Sequence, residues 1–249
     1  MTELVVVITG ASGGIGAALA ERVAAQGASV VLVARRADAL RAVADTCGTR
    51  AHPIVADMTV RDDVRRAVAE VVARCGHIDV WVNNVGRGIT RPPSELTDAD
   101  VDEMMQVNVK SALYGMQEVL PHFKARGRGH VINVSSMLGR MPFAEFRSAY
   151  NGSKHYLNAL TANFRDEVKA THPDIQFSLV SPGVVYTEFG VHARHGGPDS
   201  RALPDGQTPE QVAEVIVGVV VSRKPDVYTR TGARQRVLDY IGALGEDPS

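Results

Sequence analysis

Two cysteines in 249 residues, Cys47 and Cys75, are too few and too isolated for a disulfide framework or a metal-ligand cluster. Both fall at the ends of expected helices, where they read as packing residues, and no residue is assigned to a metal. Aromatic residues make up only 5% of the chain, and no apolar run reaches the roughly 18 residues that would cross a bilayer. Neither sign of charge is in excess. Lysines and arginines number 27 against 28 aspartates and glutamates, which removes the field that a nucleic-acid or anionic-membrane binder would use. The first residues enter a strand-like run directly, with no basic n-region or small-residue cleavage site. The expectation is a cytoplasmic protein with neither nucleic acid nor membrane among its partners.

What the chain has is an alternation of short apolar runs and longer amphipathic ones. With 45% hydrophobic content, it can fill the core of one α/β domain covering residues 1–249. Strands are predicted at Leu4–Ile8, Val30–Val33, Ala51–Val55, Asp79–Val82, His130–Val134 and Gln176–Val180, with a last short one at Asp226–Thr229. Between them, helical spacing runs over Ala17–Gln26, Asp38–Cys47, Arg61–Cys75, Asp98–Phe123, Ala149–Lys169 and Pro209–Ser222. Gly27 and Gly76 stand as natural helix stops. Strands alternating with helices imply βαβ units, and so a single-domain, Rossmann-type, doubly wound parallel sheet of about seven strands with helices on both faces. The residues after Gly232 carry no readable motif.

Two stretches point to chemistry. Thr9-Gly10-Ala11-Ser12-Gly13-Gly14-Ile15-Gly16 joins the first strand to the first helix. Glycines there permit a tight turn and let the backbone approach a pyrophosphate, whose charge a helix N-terminus favours. The second stretch is Tyr150-Asn151-Gly152-Ser153-Lys154, which puts a phenol and an ammonium on one helix face. A neighbouring ammonium favours the phenolate, so Lys154 is expected to lower the Tyr150 pKa and fit it for proton transfer near neutral pH.

Thr9-Gly10-x-x-x-Gly14-x-Gly16, Asn83-Asn84-Val85-Gly86, Ser136 and Tyr150-x-x-x-Lys154 together resemble the short-chain dehydrogenase/reductase family. Pro182-Gly183-Val184-Val185-Tyr186-Thr187 looks like that family's nicotinamide-side loop. The resemblance implies that Tyr150 is the catalytic acid or base, and that Lys154 binds the nicotinamide ribose. It implies that Ser136 holds the substrate oxygen, and that Asn108 holds a water linking Lys154 to solvent. The Ser136–Tyr150 interval is one residue longer than the family's, so a bulged loop is expected, and Ser135 competes with Ser136 for the catalytic position. Val85 replaces the family's usual Ala. The resemblance further assigns cofactor contacts to Gly10, Ser12, Gly13, Gly14, Ile15, Gly16, Met58, Asn84, Gly86, Pro182, Gly183, Val185 and Thr187.

Cofactor choice is decided after the second strand. An enzyme preferring NAD places an acid there, about 20 residues past the glycines. This chain has Ala34-Arg35-Arg36 instead, and guanidinium groups suit a 2′-phosphate. NADP(H) is therefore expected in preference to NAD(H). Asp57 resembles the family's adenine-side acid; a helix N-cap is its other reading, a role Thr59 could also fill.

The substrate side is lined, by resemblance, by Met137, Leu138, Met141, Phe143 and Phe146, and by Tyr186, Phe189 and His192 in a mobile loop around 186–206. This apolar set favours a hydrophobic carbonyl or secondary alcohol. Arg87 and Arg140 could pair with an anionic group, although surface solvation explains each. The expected activity is NADP(H)-dependent hydride transfer. Reduction of a 3-oxoacyl thioester is the alternative substrate reading, and a catalytically silent NADP(H)-binding regulator the alternative of another class. Apolar residues on the long helices (Met104, Met105, Leu113, Met116, Tyr156, Leu157 and Leu160) suggest a homotetramer or homodimer.

Overall fold

A computed structural model describes residues 1–245. The last four positions of the segment after Gly232 lie outside the described residues. Seven strands form one sheet: β1 (Val5–Thr9), β2 (Ser29–Ala34), β3 (Ala51–Val55), β4 (Val80–Asn83), β5 (Gly129–Val134), β6 (Ile175–Ser181) and β7 (Asp226–Tyr228). Their order is β3-β2-β1-β4-β5-β6-β7, and every pairing is parallel. Pro53 lacks an N–H for the ladder, and it sits in the edge strand β3, where that lack is tolerated.

The helices between the strands are α1 (Gly14–Ala25), α2 (Ala37–Cys47), α3 (Arg61–Cys75), α4 (Asp98–Met105), α5 (Ser111–Arg126), α6 (Ser148–Lys169) and α7 (Pro209–Ser222). An eighth, α8 (Ala233–Gly242), follows β7 and was not foreseen. The single helix predicted over 98–123 is interrupted: α4 and α5 are joined by a π-helical turn, Gln106–Lys110.

Because side chains alternate across a strand, each strand feeds both layers. Val6, Ile8, Val30 and Leu32 pack with residues of α1, α2 and α7, while Val5, Val7, Val31 and Val33 pack with residues of α3, α5 and α6. Cys47 packs against the first of these clusters and Cys75 against the second. The strand order reverses between β1 and β4, and their carboxyl ends open a crevice there. A buried polar chain sets that end of the sheet. Trp81 Nε1 donates to Asn83 Oδ1 at 2.8 Å, Asn83 Nδ2 to Asn133 Oδ1 at 2.8 Å, and Asn133 Nδ2 to Thr161 Oγ1 at 2.8 Å. A Cβ at Gly115 of α5 would collide with Asn83 and Trp81, so that helix lies against the chain only because it has glycine there.

Candidate active site

One cleft of about 1890 Å³ runs along the carboxyl ends of the strands, and every residue nominated for catalysis or cofactor binding lines it except Gly16 and Asn108. The volume exceeds the few hundred to one thousand Å³ of an ordinary ligand pocket, leaving room for a dinucleotide and a second molecule.

The glycine turn forms the cleft's first wall. Gly10 and Gly14 have φ of +66° and +55°, values that L side chains rarely adopt. Gly13 precedes α1 without a side chain, so the first N–H groups of the helix have no capping side chain at that residue. Gly16 lies beneath the turn, where an added Cβ would collide with the Gly10 carbonyl oxygen and come within 2.7 Å of Asn84 Nδ2. Asn84 clamps the turn from the end of β4, donating to the carbonyls of Thr9 and Gly10 at 3.2 and 3.3 Å. The Thr9 hydroxyl completes the joint, donating to the Val82 carbonyl and accepting from the Asn84 N–H, both at 3.0 Å. This bare backbone cradle at a helix N-terminus fits a pyrophosphate.

At the end of β2, Arg36 reaches back over that turn. Its Nη2 donates to the Ser12 carbonyl and hydroxyl oxygens, both at 3.2 Å, and it makes no ion pair among the described residues. Arg35 instead faces Asp57 at 3.6 Å. Asp57 Oδ1 accepts from the Thr59 N–H at 2.9 Å and the Thr59 hydroxyl at 2.7 Å. The residue before α3 is Val60, without a side-chain cap, so neither Asp57 nor Thr59 is the helix N-cap.

The floor of the cleft holds the titratable cluster. Ser136, Tyr150 and Lys154 are 8%, 6% and 3% exposed. Tyr150 and Lys154 share one face of α6, with Lys154 Nζ at 5.8 Å from the phenol ring centre and donating to the Val134 carbonyl at 3.0 Å. Burial pushes the phenol up to about 12 and the ammonium down to about 8. The groups that oppose the rise at Tyr150 are the Ser136 hydroxyl, by hydrogen bonding, and the Arg147 guanidinium, by its charge. The expectation of a phenol made acidic by Lys154 is thus corrected: desolvation of the ring outweighs its neighbours.

The two adjacent serines differ in their partners. Ser135 donates to Asn158 Oδ1 at 2.5 Å, whereas the Ser136 hydroxyl accepts from the Leu138 N–H at 3.1 Å and is the one that opposes the rise in the Tyr150 pKa. Between Ser136 and Tyr150 lies a 3₁₀ turn at Met137–Gly139, then a loop in which Phe143 is 71% exposed. Asn108 sits in the π-helical turn, fully buried behind the cluster. Its Oδ1 accepts from the Arg87 N–H at 2.8 Å, and its Nδ2 donates to the Arg87 carbonyl at 3.0 Å and the Ser153 hydroxyl at 3.1 Å. Such turns recur at functional sites because they re-aim a side chain.

On the opposite wall, Met137, Leu138, Phe143, Phe146, Tyr186, Phe189 and His192 line the cleft as expected. Met141 does not; it is buried with Met137, Ala233 and Val237 against α8. Phe189 packs edge-on to Tyr150 with ring centres 5.5 Å apart. Arg87 is paired with Glu103 at 2.6 Å and Arg140 with Asp226, so the two arginines considered for an anion are already neutralised. The segment after Thr187 is tied to α4: Asp100, fully buried, receives Arg194, His195 at 2.8 Å and Arg91 at 3.3 Å. Against burial, which would raise it, hydrogen bonds from His195, the Thr97 N–H and Arg194 hold the Asp100 carboxyl well below the usual carboxylate range. Most of the apolar residues considered for subunit contacts are spent internally. Met104, Met116 and Leu157 are buried, Leu113 and Leu160 pack on the core, and Tyr156 alone is half exposed.

The family model for short chain dehydrogenases matches residues 4–196. An oxidoreductase of Staphylococcus epidermidis is 36% identical over 188 residues, spanning 74% of this chain and 79% of that one. A metagenomic short-chain oxidoreductase solved in complex with NADP superimposes with a TM-score of 0.75 at 31% identity, covering 92% of this chain and 97% of that one. A short-chain dehydrogenase/reductase from Burkholderia phymatum, solved with NAD, has a TM-score of 0.88 over 100% and 98% of the two chains, and at 22% identity it speaks for the fold alone.

Proposed function

The chain belongs to the short-chain dehydrogenase/reductase family of oxidoreductases, and on that premise we propose that it is NADP(H)-dependent and interconverts a carbonyl and a secondary alcohol on a small, largely hydrophobic substrate. The observation that carries the chemistry is the burial of Ser136, Tyr150 and Lys154 side by side on the floor of a cleft whose other wall is apolar. When bound, the nicotinamide supplies or accepts the hydride. Tyr150 gives its phenolic proton to the carbonyl oxygen during reduction and takes one from the alcohol during oxidation. Ser136 donates a hydrogen bond to the same oxygen and fixes it against the phenol. Lys154 binds the ribose hydroxyls beside the nicotinamide. Asn108 holds the Arg87 backbone and Ser153 in register behind Lys154. Apolar walls keep water from the proton being moved.

The preference for the phosphorylated cofactor rests on Arg36. Its guanidinium lies beside the phosphate-binding turn without a carboxylate partner among the described residues, and no acid stands at the end of β2 to receive a 2′-hydroxyl. Arg35 and Asp57, paired across the same corner, would flank the adenosine. Residues 186–206 form the substrate loop. The assembly proposed is a homotetramer, and sedimentation that gives a monomer would reject it. The test of the activity is oxidation of NADPH and of NADH against ketones, aldehydes and acyl thioesters. Turnover with NADPH is expected; firm NADPH binding without turnover on any of them would mark a binding protein instead.

A further inference from the structure

On the substrate side of the cleft, one guanidinium is left without a counter-charge among the described residues. Arg87 is paired with Glu103, and Arg201 with Asp199 and Glu188. Arg147, immediately before α6 and three residues ahead of Tyr150, has no carboxylate within ion-pair distance among the described residues. It is nevertheless 7% exposed, lines the cleft, and spends only its Nη1, which donates to the Ile89 carbonyl at 3.1 Å. Its Nε and Nη2 make no hydrogen bond, yet neither is among the fully enclosed unpartnered atoms, so both are reached by solvent. The surrounding chain leaves it room. A Cβ at Gly88 would come within 2.8 Å of Nη1, and one at Gly197 within 3.2 Å of Nη2, while the Phe146 ring centre lies 5.5 Å from its guanidinium carbon. A buried, unpaired guanidinium is costly, and burial does lower its affinity for its proton.

We propose that Arg147 is the receptor for a carboxylate on the substrate, so that the reacting molecule is an oxo acid or hydroxy acid with an apolar chain rather than a neutral ketone. The class is a carboxylate because a single uncompensated guanidinium, beside apolar groups and charges already paired, matches a monoanion, and its fork matches the two oxygens of a carboxylate. Arg147 precedes α6 by one residue and Tyr150 lies in its first turn, and both line the cleft, so the bound carboxylate lies on the side where Tyr150 meets the reacting carbonyl. This deepens the oxidoreductase reading and rests on it for the word substrate, but the binding site stands on Arg147 itself.

Calorimetry separates the two. Butanoate, hexanoate and octanoate, each beside its amide, are titrated into the full-length protein saturated with NADP⁺, or with NAD⁺ if that is the cofactor it binds. At one chain length or more the acid should bind about tenfold or more tightly than the amide, as expected for a charge-assisted bidentate contact. Arg147→Met should bring that ratio close to one, and Arg147→Lys should keep part of it. Equal binding of acid and amide to the native protein at every length overturns the proposal, as does an acid preference that survives in Arg147→Met. Turnover of 5-oxohexanoate with NADPH is measured separately. Its absence together with that of every ketone, aldehyde and acyl thioester tried would reject the oxidoreductase reading, while the calorimetric comparison would still decide whether Arg147 binds a carboxylate.

Discussion

Lys154 Nζ lies 5.8 Å from the centre of the Tyr150 ring, and both side chains are buried. Burial drives each toward its neutral form, the phenol up to about 12 and the ammonium down to about 8. At neutral pH Tyr150 therefore holds its proton, which is the state that an acid in carbonyl reduction requires. The reverse reaction needs the phenolate, and oxidation of an alcohol should accordingly gain more from rising pH than reduction does.

Lys154 also makes stability depend on pH. Its pKa is lowered from 10.5 to about 8, so between those values the unfolded chain binds more protons at this site than the folded one. The stability it contributes rises as pH climbs through that window. Tyr150 acts in the other direction from 10.0 to about 12, where the folded form keeps its proton longer. Between pH 8 and 10 urea unfolding of the native protein should gain stability relative to Lys154→Met, by about 3 kcal/mol at most. Parallel curves for the two proteins would show that Lys154 is not desolvated.

Arg36 should decide between the two dinucleotides. Replacing it with Gln removes a charged contact of roughly 1.5–3 kcal/mol, about tenfold or more in kcat/KM with NADPH. The value with NADH should change far less. A native protein that uses NADH as well as NADPH would remove the role assigned to this side chain.

Two glycines should behave oppositely when changed to alanine. At Gly16 the new methyl meets the Gly10 carbonyl, which is backbone and cannot rotate away. A loss of about 1–3 kcal/mol and weaker dinucleotide binding should follow. At Gly152, exposed on α6, nothing lies within 4 Å, and the helix should gain about 0.5–1 kcal/mol. Thermal unfolding of the pair checks both, and equal shifts would contradict the close packing of the turn.

Where the physics is local, the chain was readable before its structure. The β-branched runs that became β1 and β2, the glycine turn, and the Tyr150–Lys154 spacing all express themselves within a few residues. The two adjacent serines were not separable in this way, because both lie beside α6, Ser135 on Asn158 and Ser136 near Tyr150. What stayed hidden depends on partners far away in sequence. Arg87 and Arg140 look free until Glu103 and Asp226 fold against them, and Met141 looks like a pocket residue until α8 covers it. The π-helical turn around Asn108 has no local breaker such as Gly or Pro, and its asparagine is held by the Arg87 backbone. Arg147 had a visible signal in its position three residues ahead of Tyr150, but that spacing does not reveal that every carboxylate nearby is committed elsewhere. The sign of the Tyr150 shift was likewise out of reach, since it is set by how deeply the ring is buried.

The most direct measurement is the turnover of Tyr150→Phe on a carbonyl compound that the native protein reduces, with NADPH affinity recorded alongside. Removal of the phenolic proton should lower kcat by about 10²–10⁴-fold while NADPH still binds. Turnover within a few-fold of native, with the cofactor bound equally well, would mean that the proton comes from elsewhere and that Tyr150 is not the acid.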